Sequence, residues 1–373
     1  MRTSQLLWSD GKWTAGAQEP KAPDLVLAFG GREVFQDGTA LAALGHHVPL
    51  ERVFGCSTAG EVAGTHVHDG TMVATALWFE RGQVSAVRGR LDEVGGDSFE
   101  LGKLLTSRLA GVAGLAHVFV LSDGLAVNGS ALVRGLMLAL PAGVSISGGL
   151  SGDGVAMQQT TVCHAGELTR GEVSVLAFSG PFKVGVGSLG GWDAFGPVRQ
   201  VTKAKNNVLL ELDGEPALAL YKRYLGEHAA KLPSSGLLFP LLVRTGEDRP
   251  VVRTLLGVDE ATGSMTFAGE LPEGATAQLM RSNVERIVTG ALGAATASAS
   301  AGKAQLALVV SCVGRKLVLK QRVEEELEAV AEVLGADVAM TGFYSYGEIA
   351  PAELGAPCQL HNQTMTITTL SEA

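Results

Sequence analysis

GCSTAGE at residues 55–61, SGGLSGD at 147–153 and GFYSYGE at 342–348 are three versions of one turn. Each closes on a glycine and a carboxylate: Glu61, Asp153 or Glu348. Each follows an apolar run that reads as a buried strand, and a second such run lies upstream: LVLAFGG (25–31), HVFVLSDG (117–124) and QLALVVSC (305–312). Between the two runs sits a helical stretch. In the first copy it is DGTALAALGHH (37–47), with Leu41 and Leu44 on one side. In the second, Asn128 caps a helix that carries Leu132, Val133, Leu136 and Leu140 and stops at Pro141. In the third, Val323, Leu327, Val330 and Leu334 follow 4, 3, 4 spacing. Strands come after each turn: TMVATALWF (71–79) and VSAVRGRL (84–91), then QTTVCH and VSVLAF, then QLHNQTMTITTL as one long alternating strand. Copies one and two share an offset of 92 (117 − 25, and 152 − 60), which predicts Gly60 and Gly152 at equivalent turns.

The unit is therefore β-α-β followed by a hairpin, a parallel pair extended by antiparallel strands. The fold class expected is α/β of the mixed α+β kind: duplicated units forming mixed sheets with helices packed on their faces, in two domains. Copies two and three each gain a further helix, opening at Asp97 and at Ser282 with Glu100 and Glu285 in capping-box spacing. Residues 1–23 are polar and punctuated by Gly and Pro, a loosely held lead-in. A strand-rich segment, 183–214, precedes a helix begun by Glu215 and Pro216 and ended by Gly226, and residues 236–281 alternate strands with the turns RTGEDR and VDEATGS. The boundaries expected are 1–23, 24–214 and 215–373.

Over 373 residues, 46% hydrophobic and 18% charged content exclude a disordered chain. A net charge of −9 disfavours a nucleic-acid partner. No apolar stretch long enough to span a bilayer and no signal peptide is read, so no membrane partner is expected and the location expected is cytoplasmic. Cys56, Cys163, Cys312 and Cys358 lie far apart without zinc spacing, as buried free thiols of a reducing compartment would.

Gly185, Gly187 and Gly190 satisfy GxGxxG, but an alternating strand follows where a nucleotide site needs a helix, so the match is rejected. His66, His68 and Asp69 lack a completed ligand set and read as a solvated loop. No base can be tied by spacing to Cys56 or Cys312, and no enzymatic activity is expected. The turns themselves lie at strand ends, where ligands dock on βαβ units, with the loops GGRE (30–33), SDGLAVNG (122–129) and SCVGRK (311–316) beside them. The third set carries the most chemistry. It brings Cys312, Arg315, Tyr344, Tyr346 and Glu348 to one edge, with His361 and Asn362 on the next strand and Trp192 able to close over them. That set suits a small polar ligand bearing a carboxylate. The alternative is structural: Arg315 and Glu348 neutralise each other and the tyrosines are core.

GCSTAGE, SDGL, GGLSGDG and VT…ELDGEPALALY resemble the N-terminal FIST domain, and SCVGR, GFYSYGEIAP and LHNQTMTI resemble the C-terminal one. The resemblance implies an intracellular bacterial sensory module for a small ligand, such as an amino acid. Its partner would be a separate signalling protein, a histidine kinase or a cyclic-di-GMP enzyme. No cofactor is expected on the first reading. A branch of the family binds haem and senses nitric oxide, and on that alternative the axial ligand would come from His361, His164, His66 or His68.

Overall fold

The computed structural model describes residues 1–14, 21–246, 250–351 and 355–373. Unit one runs β1 (Arg2–Ser9), β2 (Leu25–Gly30), α1 (Arg32–Asp37), α2 (Thr39–Leu44), β3 (Val53–Ser57), a hairpin of β4 (Glu61–Ala63) and β5 (His66–His68), and β6 (Met72–Trp78). Unit two runs β7 (Gln83–Arg90), α3 (Ser98–Leu109), β8 (Leu115–Ser122), α4 (Gly129–Met137), β9 (Ser145–Leu150), a hairpin of β10 (Val162–His164) and β11 (Glu167–Thr169), and β12 (Glu172–Ser179). Unit three opens with β13 (Phe182–Leu189) and is interrupted by an insert that includes α5 (Ala217–Leu225). It resumes with α6 (Val284–Ser298), β14 (Leu306–Cys312), α7 (Val313–Leu319), α8 (Glu325–Leu334), β15 (Ala339–Ser345), a hairpin of β16 (Gly347–Pro351) and β17 (Cys358–His361), and β18 (Met365–Glu372).

In every unit the first two strands pair in parallel (β2–β3, β8–β9, β14–β15), and the closing strand lies antiparallel to the first. The hairpins are exchanged. Unit one's β4 adds to β15 of unit three, unit three's β16 adds to β9 of unit two, and unit two's β10 adds to β3 of unit one. The exchange closes on itself, so three sheets with the same strand order form a ring, two of six strands and the first with a seventh at its edge, Lys12–Trp13. Three backbone bonds repeat around it: Ala59 N–H to the Tyr344 carbonyl (2.8 Å), Tyr346 N–H to Leu150 (3.1 Å) and Gly152 N–H to Ser57 (2.9 Å). The three turns are thus equivalent, but Gly60 corresponds to Asp153, one residue beyond the expected Gly152.

Period-two burial explains why the first strands are apolar throughout. Leu25, Leu27 and Phe29 share one inner core with Phe119 and Leu121 of unit two and Leu306, Leu308 and Val310 of unit three. The alternate residues face outward under helices: Val26 and Ala28 beside Leu41 and Leu44, and Val118, Val120 and Val309 beside Leu105, Leu132, Ala294 and Leu327. The GxGxxG glycines serve this packing. A Cβ on Gly185 or Gly187 would sit 1.9 Å from the Ser298 carbonyl or 2.0 Å from that of Ala294, so α6 lies directly on β13.

The insert is a separate antiparallel sheet built from residues 193–281, with its own core of Val201, Leu209, Tyr221, Leu255, Phe267 and Leu279 among others. Its roots are adjacent, since the Ser282 hydroxyl donates to the Gly191 carbonyl.

The mixed α+β class and the duplicated units stand. Several local readings are corrected. Residues 2–9 of the expected lead-in form β1, paired along its length with β6, because Leu6 and Leu7 need cover. Residues 15–20 of that lead-in and 247–249 of the RTGEDR turn lie outside the described residues. The long C-terminal strand is two, broken where Gln363 adopts φ +64. The cap of α6 is Asn283, whose side chain accepts from the Arg286 N–H at 2.9 Å, not Ser282. Pro216 caps α5 rather than opening it. His66 and His68 stand on β5, an edge strand rather than a loop, because the exchanged hairpin gives them a sheet to join. Three sheets take in the family-like halves on both sides of residue 214: β13 pairs with β18, and β4 with β15.

Candidate functional site

The third turn forms a buried polar network. Arg315 is fully buried and pairs with equally buried Glu326 through Nε (3.0 Å) and Nη2 (2.8 Å). Its remaining donors go to the Gly190 and Ile287 carbonyls, the two roots of the insert. Tyr344 donates to Glu326 at 2.6 Å, and Ser311 at 3.0 Å. Arg315 thus pairs with Glu326, eleven residues on, and not with Glu348. Glu348 sits in its own cage, accepting from Ser345 Oγ (2.6 Å), Thr364 N (3.1 Å) and Thr364 Oγ1 (3.0 Å). Burial pushes its carboxyl up to about 8. Unit one repeats that cage around Glu61 with Thr58 and Thr71, and burial there raises the carboxyl to about 7.

Asn362 and Trp192 bind the insert to the ring. Asn362 Oδ1 accepts from the Thr254 N–H (3.3 Å), and Trp192 Nε1 donates to the Gln363 carbonyl (3.1 Å). Cys312 is buried, and desolvation pushes its thiol well up, away from the reactive thiolate; Cys56 behaves likewise. All four cysteines are buried free thiols. His361 shares a 3.0 Å hydrogen bond with the Ala350 carbonyl and is held down to about 4 by burial. His164 contacts Ser174 Oγ at 2.8 Å and is also held to about 4 by burial, while His66 pairs with Glu324 on the surface and desolvation lowers His68. None of the four histidines lines the cavities between ring and insert. Among the described residues no cluster of three or more His, Cys, Asp or Glu has metal-binding geometry.

Of the expected residues, His164 lines a hollow of about 290 Å³ beside Phe54 and Ala86, and Tyr346 lines one of the hollows between ring and insert. The latter lie along one seam, where three cavities of about 180, 260 and 620 Å³ follow one another. Leu360 is common to the first two and Leu256 to the last two. The middle cavity is built on the loop after β8. Buried Asp123 accepts from the N–H groups of Leu125 (2.9 Å), Ala126 (2.8 Å) and Gly171 (2.9 Å) and from Thr160 Oγ1 (2.8 Å), which fixes that loop. Gly124 is required there, since a Cβ would sit 1.8 Å from the Ser151 carbonyl. Asn128 then caps α4 by accepting from Ala131 N at 3.0 Å. Tyr346 closes the floor, its hydroxyl donating to Asp153, which Arg32 also reaches at 3.2 Å. Burial pushes the Tyr346 phenol upward, so it stays neutral. The insert supplies Asn207, Leu256 and Phe267. The largest of the three seam cavities is mainly apolar, with Val155, Met157 and Leu317 from the ring facing Leu237, Leu238 and Leu255 of the insert, and His228 and Lys231 at its rim.

The smallest cavity lies between α4 and the insert strand Val251–Arg253. Arg253 is 6% exposed and gives Nε to the Glu270 carbonyl (3.0 Å) and Nη1 to the carbonyls of Val252 (3.2 Å) and Leu360 (3.0 Å). Burial lowers its guanidinium to about 10. Arg253, Ser130 and the seam as a whole were not singled out from the sequence. The available signal was one arginine inside the apolar run VVRTLLG (251–257).

The FIST N domain model matches residues 24–215 and the FIST C domain model residues 217–351. Among curated proteins, an uncharacterized protein of Mycobacterium bovis is 26% identical over 352 residues, 89% of this chain and 86% of that protein. An uncharacterized protein of Mycobacterium tuberculosis is 28% identical over 351 residues, 88% of this chain and 87% of that protein. Among the described residues no helix is long and apolar enough to cross a membrane.

Proposed function

The chain belongs to the FIST family, and on that premise we propose that it binds a small ligand in the seam and passes the change to a signalling partner such as a histidine kinase or a cyclic-di-GMP enzyme. FIST domains are sensory domains of signal transduction rather than catalysts. The observation that carries the reading is the row of neighbouring cavities where two bodies with separate cores meet. A ligand held there touches both bodies, so its affinity depends on their relative position, and binding shifts that position. Between-body contacts available to respond are the Arg134–Glu270 ion pair (2.6 Å), Gln363 to the Leu237 carbonyl (2.9 Å) and the Thr254 N–H to Asn362 Oδ1 (3.3 Å).

The test is a thermal-shift screen of a metabolite library on wild type and on Leu256→Trp, which fills the shared wall of the two larger cavities. Compounds that stabilise the wild type should lose their effect in the variant. Hits that bind both proteins alike would place the ligand elsewhere. A Soret band in protein from haem-replete cells, shifting with nitric oxide, would replace this reading with the haem one.

A further inference from the structure

Arg253 is a buried cation held by carbonyls, with Glu270 acting on it only through space. Its three bonded partners are carbonyls, and among the described residues no carboxylate bonds it. Three charged residues line its cavity: Arg134, Arg253 and Glu270. Glu270 is engaged by Arg134 in a two-pronged pair at 2.6 and 3.1 Å, so two guanidiniums face one carboxylate and the lining carries 2 − 1 = +1. Burying an uncompensated charge is costly, and that cost is relieved by an anion brought to it.

A second, independent observation lies in the same cavity. Ser130 is 9% exposed, lines the space, and among the described residues its buried hydroxyl has no hydrogen-bond partner. A hydroxyl left so is itself unfavourable. Ser130 also sits in the first turn of the nine-residue helix α4, where backbone N–H groups have no intrahelical acceptor and the helix dipole favours negative charge. A guanidinium and a free hydroxyl thus line one hollow of about 180 Å³, while the helix start itself, Asn128 and Gly129, lines the middle cavity next to it.

We infer that this hollow is an oxyanion site, which takes the carboxylate or phosphate group of a small organic ligand. The inference rests on the seam as the ligand site and adds to it the ligand's charge class and orientation. The anionic head lies against Arg253 and Ser130, and the body passes Leu360 into the middle cavity. Guanidinium and hydroxyl donors suit either head group.

The test titrates inorganic phosphate and, separately, acetate against the full chain, each compared with chloride at equal ionic strength. Thermal shift and calorimetry are the readouts. One of the two anions should stabilise the protein saturably, beyond chloride. A response to phosphate alone assigns a phosphate head, and a response to acetate alone a carboxylate. In Ser130→Ala the affinity should fall about tenfold or more, the loss of one hydrogen bond to a charged group. The unliganded variant should melt no lower than wild type, because the hydroxyl removed has no partner among the described residues. A structural serine would give the reverse pattern. Arg253→Lys keeps the charge but not the fork, and should weaken binding further. The site is overturned if both anions act as chloride does, or if Ser130→Ala responds as wild type does; both results stand even if Arg253→Lys fails to fold. A metabolite blocked by Leu256→Trp yet indifferent to Ser130→Ala would leave the seam as the sensor site and remove the oxyanion site alone.

Discussion

Removing the charge of Glu326 tests whether the third turn is a scaffold or a pocket. Glu326 accepts four hydrogen bonds, two from Arg315, one from Ser311 and one from Tyr344, and both ionic partners are fully buried. In Glu326→Gln the guanidinium of Arg315 stays buried without its counter-charge, keeping the Gly190 and Ile287 carbonyls and a neutral amide oxygen as acceptors. Breaking a buried pair on one side costs about 3–5 kcal/mol. Arg315→Met should cost as much, from the opposite partner. Tyr344→Phe leaves Glu326 three donors and should cost about 1.5–3 kcal/mol. In Arg315→Met/Glu326→Gln no charge remains stranded, so the double variant should lose less than the sum of the singles by roughly 2 kcal/mol or more. Urea denaturation at pH 7, followed by tryptophan fluorescence, measures this. Trp8, Trp13 and Trp78 lie in the first unit's sheet and report on the ring. Single changes under about 1 kcal/mol, or additive singles, would show a solvated pair and return Arg315 to the role of ligand-binding side chain.

Glu348 gives a pH prediction. The folded carboxyl titrates near 8 and the unfolded one near 4.5, so its contribution to stability is full below pH 4.5 and is lost as pH rises towards 8. Glu348→Gln should flatten that decline in a series of denaturation curves, and an unchanged slope would remove Glu348 as its source. Gly185→Ala and Gly187→Ala each drive a methyl into a carbonyl of α6 and should cost about 1–3 kcal/mol or more. Gly257→Ala, on an insert strand where nothing lies within 4 Å of the new methyl, is the control for the substitution itself, and equal losses in all three would refute the packing argument.

The central strands were legible because each is buried on both faces and therefore reads as an unbroken apolar run. The same runs carry no record of partner choice. β4 pairs with β15, so Ala63 meets Thr341 across 278 residues, and nothing local distinguishes that from pairing within its own unit. The C-terminal strands hid their break for a related reason, since alternation continues through the turn at Gln363. Arg315, Tyr344 and Glu348 were read to one edge, but the partner that engages Arg315 and Tyr344, Glu326, lies on α8 beyond the α7 break. Arg253 escaped notice because a lone basic residue on a short strand reads as a solvated edge. Its burial is created by the ring it leans on.

The separation of cores makes the seam testable by excision. None of the three ring cores contains a residue from 193–281, and the insert's core contains only such residues. The chain leaves and re-enters the ring at one point, where Ser282 bonds Gly191 and Arg286 pairs with Asp193 at 2.9 Å. An insertion with adjacent ends and its own core is the arrangement that tolerates removal. Joining Trp192 to Ser282 should therefore leave a ring that unfolds cooperatively with the wild-type circular-dichroism signature of its mixed sheets. It should lose every seam ligand, because each cavity then lacks a wall, and it should expose Val155, Met157 and Leu317 to apolar dyes. If instead the excised chain fails to fold, the insert is part of the ring's own stability. Ligand-driven movement between two independent bodies could not then be how a signal leaves this protein.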